Sequence, residues 1–239
     1  MSAHSPKQRE EALKEVIVYK SSPSSSLAAQ KFAYVNHVDL TKKALTTWLD
    51  PVDMSQIVLE QCDQRHPKTR AWMLDETSNW AQSSGKCLCL FGMAGTGKTV
   101  AAAAIANHLR KMFSVVTFFC STSFPDRADP TAIVRSIAVQ LAEAHPSFAD
   151  QLYLVYQAKP NVADGKATIS GLIEAVISEP LSKCPSLNKT VVVIDALDEA
   201  GANDLSTLSL LLKALNRRWP WDRLPIVVSA ERLHILFSF

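Results

Sequence analysis

Two periods of apolar residues divide the chain. Before residue 86 the spacing is helical. Leu13, Val16 and Ile17 share a side of a helix over 8–19, and Ala44, Leu45, Trp48 and Leu49 mark one around 40–49 that Pro51 ends. A third helix is expected over 54–63, before the break at His66-Pro67. Met73, Thr77 and Trp80 line one side of a fourth over 69–82, closed by Ser83-Ser84-Gly85. The serine-rich stretch Ser21 to Ser26 reads as a flexible linker. From residue 86 onward, continuous apolar runs at 87–92, 115–120, 190–195 and 225–229 alternate with helical stretches near 98–111, 131–144, 168–178 and 204–217. Strands without polar alternation, separated by helices, make a parallel sheet covered on both faces. The expected fold is an α/β three-layer sandwich with a mostly parallel sheet. A helical and linker region over 1–52 is expected to precede a domain over 62–239.

Composition narrows the class. A chain of 239 residues, 47% apolar and 20% charged, can bury one substantial core as a soluble globular protein. A net charge of +2 without a long Lys/Arg block gives no sign of a nucleic-acid partner. No apolar run reaches the ~18–20 residues of a membrane-spanning helix. The stretch from Met1 to Tyr19 is too charged for a signal peptide. The expected location is the cytoplasm, with no membrane partner. The five cysteines (Cys62, Cys87, Cys89, Cys120, Cys184) are odd in number and scattered, Cys87-x-Cys89 lacks zinc-pair spacing, and all read as reduced structural thiols. His66, His108 and His145 share no metal-ligand spacing, and His108 is expected at the surface.

The chemistry concentrates in two places. Gly92-Met93-Ala94-Gly95-Thr96-Gly97-Lys98-Thr99 follows the apolar run Cys87 to Phe91, giving GxxxxGK(S/T) at a strand end, with Val100 continuing into a helix. Three of the seven glycines fall within those first six residues, so they mark a special backbone. Such a loop wraps a phosphate chain with main-chain N–H groups at a helix N-terminus. Lys98 supplies charge for the outer phosphates and Thr99 a hydroxyl for magnesium. The second place is Asp195-Ala196-Leu197-Asp198-Glu199, at the carboxyl end of a buried strand, where ligands bind in parallel sheets. Asp195 is placed to hold Mg2+, through that ion's water shell. Asp198 or Glu199 can orient or deprotonate an attacking water, or serve only to stabilise the next helix.

Asp195 to Glu199 resembles the extended acidic motif of NACHT domains, within the STAND class of signal-transduction ATPases. Thr69-Arg70 with Leu74 and Trp80 resembles the lead-in of the nephrocystin-like NACHT group common in fungi. Phe118-Phe119, Asp129-Pro130 with Ile137 to Ala142, and Pro180-Leu181 agree with the same group. The resemblance spans about 62–232 and implies binding of ATP or GTP with Mg2+, slow hydrolysis, and a switch between an ADP-bound resting form and an oligomeric active form. It implies partners among other NACHT proteins, as homo- or hetero-oligomers. It also sets Arg70 near the base and ribose.

The chain departs from that pattern after the last apolar run. Val228-Ser229-Ala230-Glu231-Arg232 stands where the family has a polar sensor followed by arginine. Ser229 can still hydrogen-bond a phosphate or a water; Ala230 takes the arginine's place and Arg232 comes two places late. Only ten residues follow Ser229, too few for a parallel crossover to a fifth strand, so the chain reads as a truncated member whose strand 87–91 is left at a sheet edge. Two functions stay open: a nucleotide-hydrolysing switch module, and a non-catalytic interaction protein that keeps the loop without turnover. A small-molecule kinase is disfavoured by the want of an arginine-rich lid segment.

Overall fold

The computed structural model describes residues 39–63, 71–83, 87–165, 167–201 and 205–231. The expected helix over 8–19, the serine linker, His66, Arg70, Arg232 and the apolar tail lie outside the described residues. Helices α1 (residues 39–49), α2 (Ser55–Asp63) and α3 (Ala71–Gln82) come first. Next are β1 (Cys87–Phe91), α4 (Lys98–Leu109) and β2 (Ser114–Phe119). A short α5 (Pro125–Ala128) leads to α6 (Pro130–Ala144) and α7 (Pro146–Ala158). Then come α8 (starting Ile169–Ile173), β3 (Thr190–Asp195), α9 (Leu205–Arg218) and β4 (Ile226–Ala230). The four described strands form one parallel sheet in the order β1-β4-β3-β2.

Burial explains that order. All six residues of β3 and all five of β4 are buried, as inner strands covered on both faces must be, and β1 is half-buried at the sheet's edge among the described residues. The alanines Ala101 to Ala104 let α4 lie close on the sheet; each is buried, and Ile105 and Leu109 complete that face. Helix α6 starts where Asp129 accepts from the Thr131 N–H at 2.8 Å and Pro130 needs no N–H partner, and Ile133, Val134, Ile137 and Leu141 fill the core. Leu45 and Leu49 of α1 join the same core, and the Trp48 indole donates to Pro160 O at 2.6 Å.

Two helical stretches differ from expectation. Helix α7 falls outside the expected helical stretches and opens on Pro146. It stands at the first helical position, where a missing N–H costs nothing, and Phe148, Leu152 and Val155 behind it are buried at helical spacing. Helix α8 was expected to stop near 178. It instead widens into a π-type turn over Glu174–Ser178 and continues as Glu179–Ser182. Pro180 is the cause, since it offers no N–H to the carbonyl four residues back and its ring crowds that carbonyl.

None of the five cysteines forms a disulfide. Cys87 and Cys89 lie on one face of β1, two residues apart, with sulfurs 3.6 Å from each other. The hydrogen bond from Cys87 lowers the Cys89 thiol to about 7 and raises Cys87. The tract behind Trp219 stops α9 and packs inward, with the buried indole donating to Leu224 O at 2.7 Å. His108 is not a surface residue. It is half-buried between α3 and α4, 2.8 Å from the Ser78 hydroxyl, and lines a cavity of about 130 Å³ with Cys62, Leu74 and Lys111.

Arg223 ties the approach to β3 against the approach to β4. Its guanidinium donates to Leu181 O at 2.7 Å, to Cys184 O, and to Leu187 O at 3.4 Å. Hydrogen bonds from a charged donor contribute about 1.5–3 kcal/mol each at best, so Arg223→Ala is expected to cost about 2–4 kcal/mol in urea unfolding, with lysine restoring part of it. A loss under 0.5 kcal/mol (the range of ordinary surface changes) would deny the clamp.

Candidate functional site

Three neighbouring strand ends build the site. β1 runs into residues 92–97 and then α4. β4, which lies between β1 and β3, ends in Ser229 and Ala230. β3 ends in Asp195, followed by the turn Leu197–Glu199.

The glycine-rich loop needs its glycines for different reasons. Gly95 and Gly97 have φ of 74° and 78°, in the left-handed region that side chains resist. Gly92 is there for closeness: a Cβ would lie 2.7 Å from the Thr96 hydroxyl oxygen, which donates to Met93 O at 2.8 Å. Lys98 folds back over this loop and donates to Gly92 O at 2.8 Å and Met93 O at 3.0 Å. Met93 and Ala94 are exposed at the tip, Thr96 and Gly97 are exposed at the start of α4, and Val100 is partly buried in its first turn. The loop's open face is therefore polar backbone, one ammonium and the N-terminus of a twelve-residue helix, an arrangement able to hold an anion.

Asp195 is brought to this loop. The Thr99 hydroxyl and the Lys98 charge are both close enough to favour its ionised form. Ser229 donates to Asp195 Oδ1, and the Ser229 oxygen accepts from the Ala196 N–H at 2.9 Å. Asp195 is 2% exposed, and its pKa is raised: burial is the largest influence, the hydrogen bonds from Ser229 and Thr99 oppose it, and the Glu199 charge adds to it. Ser229 is buried as well, so its hydroxyl is committed to Asp195 and Ala196.

Ala196 adopts φ 51°, ψ 45°, left-handed for a residue with a side chain. Holding it there costs on the order of 1–2 kcal/mol, and the payoff is a tight turn directly after Asp195. Beyond that turn Glu199 Oε2 accepts from the Thr122 N–H at 2.8 Å and from its hydroxyl at 3.3 Å. Asp198 Oδ2 accepts from the Glu231 N–H at 3.2 Å, and Asp198 Oδ1 is buried with no hydrogen-bond partner. Glu199 thus reaches the loop after β2, and Asp198 reaches the end of β4.

The structure brings Lys98, Thr99, Asp195 and Ser229 into one neighbourhood. It adds Thr122, which is linked to Glu199, and Glu231. The signal for Glu231 lay in the strand register. Phe91 pairs with Ala230, so the next step along both strands sets Glu231 beside Gly92, and its carboxylate lies 3.6 Å from the Lys98 ammonium.

Among known families, the model described as Nephrocystin 3, N-terminal, matches residues 68–230, well over half of the chain and inclusive of every site residue above except Glu231. No curated protein and no solved structure gives a significant match.

Proposed function

The chain belongs to the nephrocystin 3 N-terminal family, and from that footing we propose that it binds a nucleoside triphosphate, ATP before GTP, and hydrolyses it slowly with magnesium as a signal-transduction switch module. The observation that carries this reading is the convergence of three strand ends, which sets the glycine loop with Lys98 and Thr99 beside the buried carboxylate of Asp195. A hydroxyl and a carboxylate are hard oxygen donors of the kind magnesium accepts. When bound, the ion supplies charge neutralisation at the phosphates. Lys98 and the loop amides would hold the outer phosphates, and Thr99 and Asp195 would hold the ion. Glu199 or Asp198 takes a proton from, or aligns, the attacking water.

A second reading, a nucleotide-binding interaction protein without turnover, has its own support. Glu199 is engaged by Thr122 and Asp198 by Glu231, and Ala230 is buried where the resemblance expects an arginine.

Titration of the full chain with a fluorescent ATP analogue, with magnesium and with EDTA, tests the shared premise. Saturable binding that needs the metal is the expected result, and no binding in either buffer would reject both readings. Single-turnover hydrolysis then separates them. Glu199→Gln is expected to slow product formation about 10²–10⁴-fold if Glu199 is the base. No product from the native chain under saturating nucleotide would leave only the second reading.

A further inference from the structure

Among the described residues, Glu231 is a charged group at the site that the proposed function does not use. Its position follows from the fold. Register along β1 and β4 sets it next to the first residue of the glycine loop, and Asp198 fixes its backbone N–H at 3.2 Å. Its carboxylate stands 3.6 Å from the Lys98 ammonium. An ammonium has three N–H donors. Two of those on Lys98 go to Gly92 O and Met93 O, and the Glu231 carboxylate is the charged group paired with the same ammonium. The Lys98 side chain is 12% exposed and that of Glu231 47%, so the cation is largely enclosed while the carboxylate keeps room to move.

We infer that Glu231 is a specificity residue that makes the site favour nucleoside diphosphates over triphosphates. The inference rests on the phosphate-site reading proposed above. An outermost phosphate must approach the Lys98 ammonium, and there it meets the negative charge of Glu231. To be accommodated it must displace Glu231 from Lys98 and then lie near the displaced carboxylate. A diphosphate, shorter by one phosphoryl group, is retained by the loop amides and by Lys98 without reaching as far toward Glu231. The polarity is the reverse of the arginine that the family resemblance expects after this strand. There a cation would attract the terminal phosphate, and here a carboxylate repels it.

Competition binding with ADP and ATP, each with magnesium, on the full chain and on Glu231→Gln tests this. Glutamine keeps the size and the backbone N–H bond to Asp198 and removes the charge. One unit charge a few ångströms from a phosphate in a partly wet site is expected to change triphosphate affinity by about tenfold or more, with a diphosphate changing less than about threefold. Glu231→Lys is expected to move the ratio further the same way. Should both nucleotides tighten equally, or the ADP/ATP ratio remain that of the native chain in both variants, Glu231 is not a selector, although the phosphate site stands. Should the native chain and both variants bind neither nucleotide, the phosphate-site reading falls and takes this inference with it.

Discussion

Lys98→Ala is expected to weaken nucleotide binding by about 100-fold or more while the chain stays folded. The ammonium is largely enclosed, and a charge-assisted contact to phosphate in a poorly hydrated place contributes up to about 3 kcal/mol, or roughly two powers of ten. Mutational removal of one such preorganised donor costs on the order of 10²–10³-fold where charge is concentrated. In the free protein the same side chain makes two hydrogen bonds to the carbonyls of Gly92 and Met93, at the edge of the sheet. Those carbonyls lie next to solvent, and water can replace the lost donor, so a small decrease in unfolding midpoint is expected. Lys159→Ala removes an exposed pair with Glu179, remote in sequence from the loop, and is the control that should leave affinity unchanged. Equal Kd values for the native chain and Lys98→Ala, with both folded by circular dichroism, would mean that phosphate is not held here.

The parts of this site that were legible beforehand share one property: each was written in a local pattern. The strands were readable to within about a residue because Val191 to Ile194 and their counterparts are continuous apolar runs that only inner parallel strands require. The glycine loop was readable because its spacing encodes its backbone, which Gly95 and Gly97 realise with positive φ. What stayed hidden depends on pairing between distant segments. Nothing local in Ser-Ala-Glu announces that Glu231 will stand beside Lys98, since that follows from the offset between β1 and β4. Thr122 meets Glu199 only because β2 and β3 are neighbours in register, with Phe119 opposite Asp195. Ala196 defeats local rules outright, because glycine or asparagine would be forecast for its left-handed backbone. Helix α7 was hidden for another reason: Pro146 separates two helices, and only the buried positions behind it mark the second.

Asp195→Asn is expected to separate stability from binding more sharply than any other single change. At 2% exposure the carboxylate is ionised against a large desolvation cost, which is why its pKa is raised. A carboxylate raised in the folded state lends stability in its protonated form, and that contribution is lost as pH rises through the folded-state pKa. At neutral pH the nucleotide-free chain therefore carries Asp195 at a cost. Asparagine is neutral at every pH and nearly the same shape. Its oxygen can accept from Ser229 as Asp195 Oδ1 does, and its amide can donate to the Thr99 oxygen with the roles exchanged. The variant is expected to melt at or above the temperature of the native chain at pH 7, with the difference shrinking as the pH falls through the raised folded-state pKa toward the ordinary aspartate range. Magnesium-dependent nucleotide affinity should nevertheless fall about 10–100-fold, the usual consequence of losing a carboxylate that orients a bound metal's shell. Thermal melts from pH 4 to 8, paired with nucleotide titrations with and without magnesium, read both effects. A variant that melts well below the native chain at pH 7 would mean that Asp195 is retained for structure. One that binds nucleotide with undiminished magnesium dependence would remove Asp195 from the metal site, and with it the reason the acidic strand end lies against the glycine loop.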